Sequence, residues 1–171
     1  MLGPAEYQQL VAGSILIVGV GDDLLYRKYH NQVFLISTAL ALMVTLLAGG
    51  WPAASTGLLG ALLIFLITLT PFLLGVIGGG DVKLLIALAL CGSWLDISAT
   101  FVWAVVWGAI FGVLQVFSAG QWRQFFSNLK MLIAHRRLDT IEPHRIPFTV
   151  AIFFGWLTHQ NLQWRGVHYG F

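Results

Sequence analysis

The sequence predicts an all-α membrane protein: six transmembrane helices, with an interfacial amphipathic helix between helices 5 and 6, in one integral membrane domain over residues 1–171. Two observations predict it. The chain is 58% hydrophobic and only 9% charged, against ~25% charged in a soluble domain. Its apolar residues are also gathered into runs close to the ~20 residues that a helix needs to cross a bilayer. Lipid offers no water to unpaired backbone groups, so such runs are helical.

Taken in order, the first run is residues 5–22, "AEYQQLVAGSILIVGVGD", which is short and opens on polar residues. The second is 32–49, "QVFLISTALALMVTLLAG", and the third 55–75, "STGLLGALLIFLITLTPFLLG". The fourth, 81–95, "DVKLLIALALCGSWL", is short for a span unless its helix starts inside the preceding glycines. The fifth is 97–117, "ISATFVWAVVWGAIFGVLQVF", and the sixth 147–164, "PFTVAIFFGWLTHQNLQW". Between the last two lies the longest loop, 118–146. There Trp122, Phe125, Phe126, Leu129, Leu132 and Ile133 fall at helical spacing, with Arg123, Lys130, Arg136 and Arg137 mostly off that stripe. That pattern predicts a helix lying in the interface with its basic face among the headgroups.

Charge orients the spans. Arg27 and Lys28 follow the first run, Lys83 the third, and Arg123, Lys130, Arg136, Arg137 and Arg145 the fifth, so eight of the nine Lys and Arg share one side. Only Arg165 falls opposite. Positively charged loops stay cytoplasmic, which places both termini outward and agrees with an even number of spans.

Composition also excludes several functions. A net charge of +2 is too small to imply nucleic acid. A single cysteine, Cys91, rules out an internal disulfide and a multi-cysteine zinc site, and its apolar surroundings predict a packing role. The first twenty residues lack a basic leading segment, so no cleavable signal peptide is expected. The five histidines, His30, His135, His144, His159 and His168, show no metal-ligand spacing and are expected in loops or at the interface.

Acids meet the membrane in two places. Asp22 and Asp23 close the first run, and Asp81 opens the fourth. The two sites are far apart in sequence yet share one depth and one side, and an ionisable group at membrane depth points to function. Two carboxylates held together cannot both ionise cheaply, so they titrate as a unit. One can take a proton from water while the other donates to a carbonyl, which is peptide hydrolysis without a covalent intermediate. Consecutive helical residues point about 100° apart, so at most one of Asp22 and Asp23 faces Asp81. Lys83 lies about 200° round a helix from Asp81, which suits a phospholipid or substrate contact. Gly78, Gly79 and Gly80 predict a tight turn presenting Asp81 and room for an approaching peptide. The remaining acids have local uses: Asp96 as a helix cap, Asp139 and Glu142 as surface partners of basic residues. Arg145 suits a snorkelling anchor.

These residues carry a resemblance. "GGGDVKLL", 78–85, resembles the Gly-x-Gly-Asp motif with its following lysine in the type IV prepilin peptidases. "DLLYRKYHN", 23–31, resembles that family's first aspartate site, in which an Asn or Asp follows the aspartate by eight positions; this matches Asp23 with Asn31. "HRIPFTVAIFFG", 144–155, resembles the family's Ile-Pro segment. One departure is Tyr29-His30, where many relatives carry Ile-Pro. The resemblance implies an aspartic endopeptidase of the inner membrane, with Asp23 and Asp81 catalytic and Gly78, Gly80, Lys83 and Asn31 in support. Its substrates would be prepilin or pseudopilin leaders, cut at the cytoplasmic face. Lacking the length and cysteines of larger members, the chain resembles the peptidase-only branch serving tight-adherence (Flp-type) pili, or the archaeal preflagellin peptidases. Expected partners are these substrates and membrane lipids, with self-association open, and neither a metal nor an organic cofactor is needed. The competing class is a non-enzymatic carrier or pilus-assembly subunit whose acids bind ions or protons.

Overall fold

The computed structural model describes residues 3–118 and 148–166. The described chain is all-helical: α1 (Pro4–Tyr26), α2 (Asn31–Leu73), α3 (Gly79–Ala89), α4 (Trp94–Ser118) and α5 (Phe148–Trp164). The expected interfacial helix over 118–146 lies outside the described residues, apart from Ser118 at the end of α4.

Helix α1 starts six residues before its first leucine, Leu10. Gly3 caps it in an extended conformation, Pro4 occupies the first turn and the Glu6 carboxylate accepts the Gly3 N–H at 2.6 Å. Proline there gives up only an N–H that would be orphaned anyway. The helix also runs past the predicted end at residue 22, closing only at Tyr26, where Arg27 adopts a left-handed conformation (φ 52°, ψ 30°) and donates its N–H to the Asp23 carbonyl. That turn reverses the chain into α2.

A continuous α2 of 43 residues would be about 64 Å long, roughly twice the ~30 Å hydrocarbon thickness. It is not continuous. Gly50 sits at φ 66°, ψ −161°, and Pro52 follows. Only a glycine takes such angles without strain, and a proline starts a new helical run readily. The two runs, 31–49 and 51–73, fold back on each other. Thr45 donates its hydroxyl to the Leu90 carbonyl at 2.6 Å, and Gly57 on the other run abuts the same Leu90 backbone. At the far end Asn31 bonds Lys83 and Phe72 packs on Gly79, so both ends of α2 meet the start of α3. The described residues therefore hold six helical runs. Among the described residues three helices are long and apolar enough to cross a membrane: Glu6–Tyr26, Asn31–Leu73 and Trp94–Ser118. Large apolar side chains such as Leu25, Leu47, Trp51 and Leu73 face outward, a surface suited to lipid. The chain is an integral membrane protein.

Helix α3 is the centre. Every other helix touches it, and Val82, Leu84, Leu85, Ala87, Leu88 and Ala89 are all buried. Its bounds correct the prediction of 81–95. It begins at Gly79, inside the glycines, and stops at Ala89, while Trp94 and Leu95 belong to α4. Hydropathy does not mark this stop because Leu90 and Cys91 continue the apolar run. The cause is Ser93 and Asp96. The Ser93 N–H donates to Asp96 Oδ2 at 3.0 Å and the Asp96 N–H donates to Ser93 Oγ at 3.2 Å, a reciprocal cap that starts a new helix. At eleven residues, α3 is about 16 Å long and depends on its neighbours for the rest of the depth.

Helices α4 and α5 cross closely. A Cβ built on Gly155 would stand 2.6 Å from the Ala104 nitrogen and 2.7 Å from the Thr100 carbonyl oxygen. Small residues at a helix contact let backbones approach where lipid offers no hydrophobic drive for association. Above the crossing Trp107, Phe111 and Phe154 form an aromatic cluster, and Trp107 Nε1 donates to Thr158 Oγ1 at 2.9 Å.

Candidate functional site

Asp81 is the third residue of α3, where a carboxylate can fold back onto the orphaned N–H groups of the helix start and sits well in the helix dipole. Its Oδ2 accepts the Gly78 N–H at 2.9 Å, and the residue is only 8% exposed. Asp23, on the last turns of α1, accepts the Thr149 hydroxyl on Oδ2 at 2.7 Å. The Asp23 charge acts on Asp81. Three helices thus gather Asp23, Asp81 and Thr149 from separate parts of the chain at one polar site, in which Asp81 and Thr149 are buried.

Asp22 points elsewhere. Its Oδ2 accepts the His30 N–H at 2.8 Å, and its Oδ1 lies 2.8 Å from His30 Nδ1. It closes the turn between α1 and α2, with the His30 ring edge-on to Tyr26. Of the two neighbouring acids, Asp23 is the one that meets Asp81.

The supporting residues also converge. Lys83 Nζ donates to Asn31 Oδ1 at 2.6 Å, joining the two motif segments across the start of α2. Between them Tyr29 is buried, with its hydroxyl donating to Ser37 Oγ at 3.3 Å. Burial, with a smaller contribution from the Asp22 charge, raises the Tyr29 phenol above its usual range and keeps it protonated.

The glycines act differently from expectation. Gly78 is extended (φ −82°, ψ 155°) and Gly79 and Gly80 are already helical, conformations open to any residue. The left-handed glycine of this turn is Gly75, at φ 70°. What Gly78 and Gly80 provide is space. A Cβ on Gly78 would stand 3.1 Å from Asp81 Oδ2, and one on Gly80 would stand 3.0 Å from the Tyr29 Cβ. Gly79 is packed by the Phe72 ring. The protein's own chain fills the room expected for a substrate.

At the opposite end of α3 lies a second polar cluster. Asp96 caps α4 as expected, and its other oxygen bonds Gln163 Nε2 at 2.8 Å and His159 Nε2 at 3.1 Å. His159 is 2% exposed within α5, not a loop or interface residue as its isolated position suggests. The cluster edges a cavity of about 210 Å³ that Gln8, Gln9, Trp156 and Gln160 also line. Cys91 is buried beside it and unpaired with any other cysteine. Among the described residues no three His, Cys, Asp or Glu side chains gather as metal ligands.

Sequence reading missed Thr149. A signal was present: it is the one hydroxyl-bearing residue in the apolar stretch "PFTVAIFFGWL". Nothing local says that this hydroxyl faces an aspartate 126 residues away.

Comparison with known proteins bears on the same segments. No curated protein and no solved structure matches the chain. A family model described as the type IV leader peptidase family matches residues 10–113. That stretch is more than half of the chain and contains Asp23, Asn31, Gly78, Gly80, Asp81 and Lys83. The chain belongs to the type IV leader peptidase family.

Proposed function

We propose that the protein is an intramembrane aspartic endopeptidase that removes the leader of type IV prepilin-like proteins, with Flp-type pilins as the substrate class. Membership of a leader peptidase family makes it a protease with prepilin substrates. The observation that carries the finer reading is Asp23 and Asp81, 58 positions apart in sequence, interacting at one site, with Asp81 buried and Asp23 held by Thr149.

In this reading the two carboxylates hold one proton between them. The ionised member takes a proton from a water molecule as its oxygen attacks the scissile carbonyl carbon. The protonated member gives its proton to the carbonyl oxygen. Collapse of the tetrahedral diol breaks the C–N bond, and the proton taken from water passes to the leaving amine. Burial of Asp81 supports this chemistry, because excluding bulk water strengthens each charge interaction at the reacting atoms.

The site works at the cytoplasmic face. Arg27, Lys28 and Lys83 lie next to the acids, and positive loops stay on that side. All six helical runs cross or enter the bilayer, and both termini face outward. In a chain with Cys91 replaced by Ser, a cysteine at position 28 is expected to react with thiol reagents only from the cytoplasmic side, and one at position 51 only from outside. The reverse pattern overturns the orientation.

The function itself is tested by co-expressing the chain with candidate Flp-type prepilins and following leader loss by mass. Shortened pilin that depends on the chain is the expected result. Prepilins that all remain full-length, with both proteins in the membrane, overturn the substrate assignment.

A further inference from the structure

We propose that Thr149 is a positioning residue for the aspartate pair, its hydroxyl holding the Asp23 carboxylate. The inference rests on Asp23 and Asp81 being the peptidase pair.

Hydroxyls on membrane helices usually satisfy themselves on the carbonyl one turn back. Ser14, Thr38, Ser98 and Thr158 all do so here, donating to Leu10, Phe34, Trp94 and Phe154. Thr149 departs from that pattern. It is 1% exposed, yet it sends its hydroxyl across to Asp23 Oδ2 at 2.7 Å. It is the second residue of α5. From there its hydroxyl reaches the carboxylate that α1 brings in, beside the Asp81 that α3 supplies and on which the Asp23 charge acts.

The helix that carries this donor is itself held. Gly155 lets α5 cross α4 at backbone contact, and His159 and Gln163 fasten it to Asp96 further along. Donors on a packed helix keep their geometry more closely than donors on a loop. Thr149 thus turns the packing of α5 into a fixed orientation of the Asp23 carboxylate beside Asp81. Without the hydroxyl, the Asp23 carboxylate loses the only side-chain donor it has among the described residues and rotates more freely against Asp81.

The test is Thr149→Val, which keeps the shape, the β-branch and the backbone N–H and removes only the hydroxyl. Losing a hydrogen bond to a charged group is expected to lower kcat by about 10- to 100-fold. KM should stay within about twofold, because the hydroxyl contacts the pair and not the substrate. Thr149→Ser restores the donor and should recover most of the lost rate. Asp23→Asn and Asp81→Asn are run beside them. If both are inactive while Thr149→Val keeps the parent kcat, the positioning role is wrong and the pair stands. If Thr149→Ser is as slow as Thr149→Val, packing of the methyl group and not the hydroxyl sets the rate, and the proposal falls. If either Asn variant cleaves at the parent rate, the reading on which the proposal rests has failed first. Should Thr149→Val not accumulate in the membrane, Thr149→Ala is judged by the same criteria.

Discussion

Asp81→Asn and Asp23→Asn are each expected to lower leader cleavage by at least about 10³-fold, with the protein still present in the membrane at the parent level. Asparagine has the shape of aspartate and a carbonyl that still accepts a hydrogen bond. Asp81→Asn can keep the Gly78 N–H, and Asp23→Asn can keep the Thr149 hydroxyl. What is lost is the ability to carry the shared proton. General acid and general base roles are each worth about 10²–10⁴ in rate, and members of one proton-sharing unit fail together. Asp22→Asn is the control. It weakens a contact with His30 at an exposed turn, a change that costs about 1 kcal/mol or less at such a site. Its cleavage should stay within a few-fold of the parent. Cleaved fraction against time, at matched membrane levels, reads all three. An Asp22→Asn variant without activity beside an active Asp23→Asn would move the pair by one residue. Parent-rate cleavage by Asp81→Asn would end the two-aspartate mechanism.

Gly155→Val is expected to be the most damaging change to the fold. Added to a helix, valine in place of glycine gains a few tenths of a kcal/mol in propensity. Overpacking typically costs about 1–3 kcal/mol and more where the neighbour is backbone. Here even the first carbon meets the Ala104 nitrogen, the Thr100 carbonyl and the Ala104 Cα, the last at 2.9 Å. Backbone cannot rotate out of the way as a side chain can, so sterics win and α4 and α5 separate. The displaced α5 takes Thr149 with it, and cleavage should fall along with stability. Gly112→Val on α4 supplies the comparison, since a Cβ there meets nothing within 4 Å. Thermal inactivation midpoints in detergent should drop by many degrees for Gly155→Val and hardly move for Gly112→Val. Equal midpoints for the two would mean that the crossing tolerates a wider spacing than the geometry implies.

Much of the architecture was legible because its signals are local. Hydropathy located six apolar runs, and the break at residues 50–54 corresponds to Gly50 and Pro52, which reverse α2. The Gly-x-Gly-Asp-x-Lys motif pointed to Asp81 and Lys83. The eight-residue spacing pointed to Asn31 as well as to Asp23, and the folded chain joins Asn31 to Lys83. Less legible were boundaries inside apolar sequence, such as the end of α3 at Ala89, which a polar cap four to seven residues further on decides.

The sequence by itself determined the apolar character of the chain, the breaks between its helices other than the one between α3 and α4, and the two segments that carry acids beside apolar runs. Each of these follows from how a short segment partitions between water and lipid, or from what one residue type permits the backbone. The tertiary structure alone decided the rest. Asp22 turns to His30 while Asp23 turns to Thr149 and its charge acts on Asp81, and His159 lies buried against Asp96. Neighbours on a helix differ by about 100° in direction, so a side chain's partner depends on which face of its helix packs inward. That choice rests on fits such as Gly155 against Ala104 and Gly80 against Tyr29, contacts between residues whose closeness no local spacing encodes.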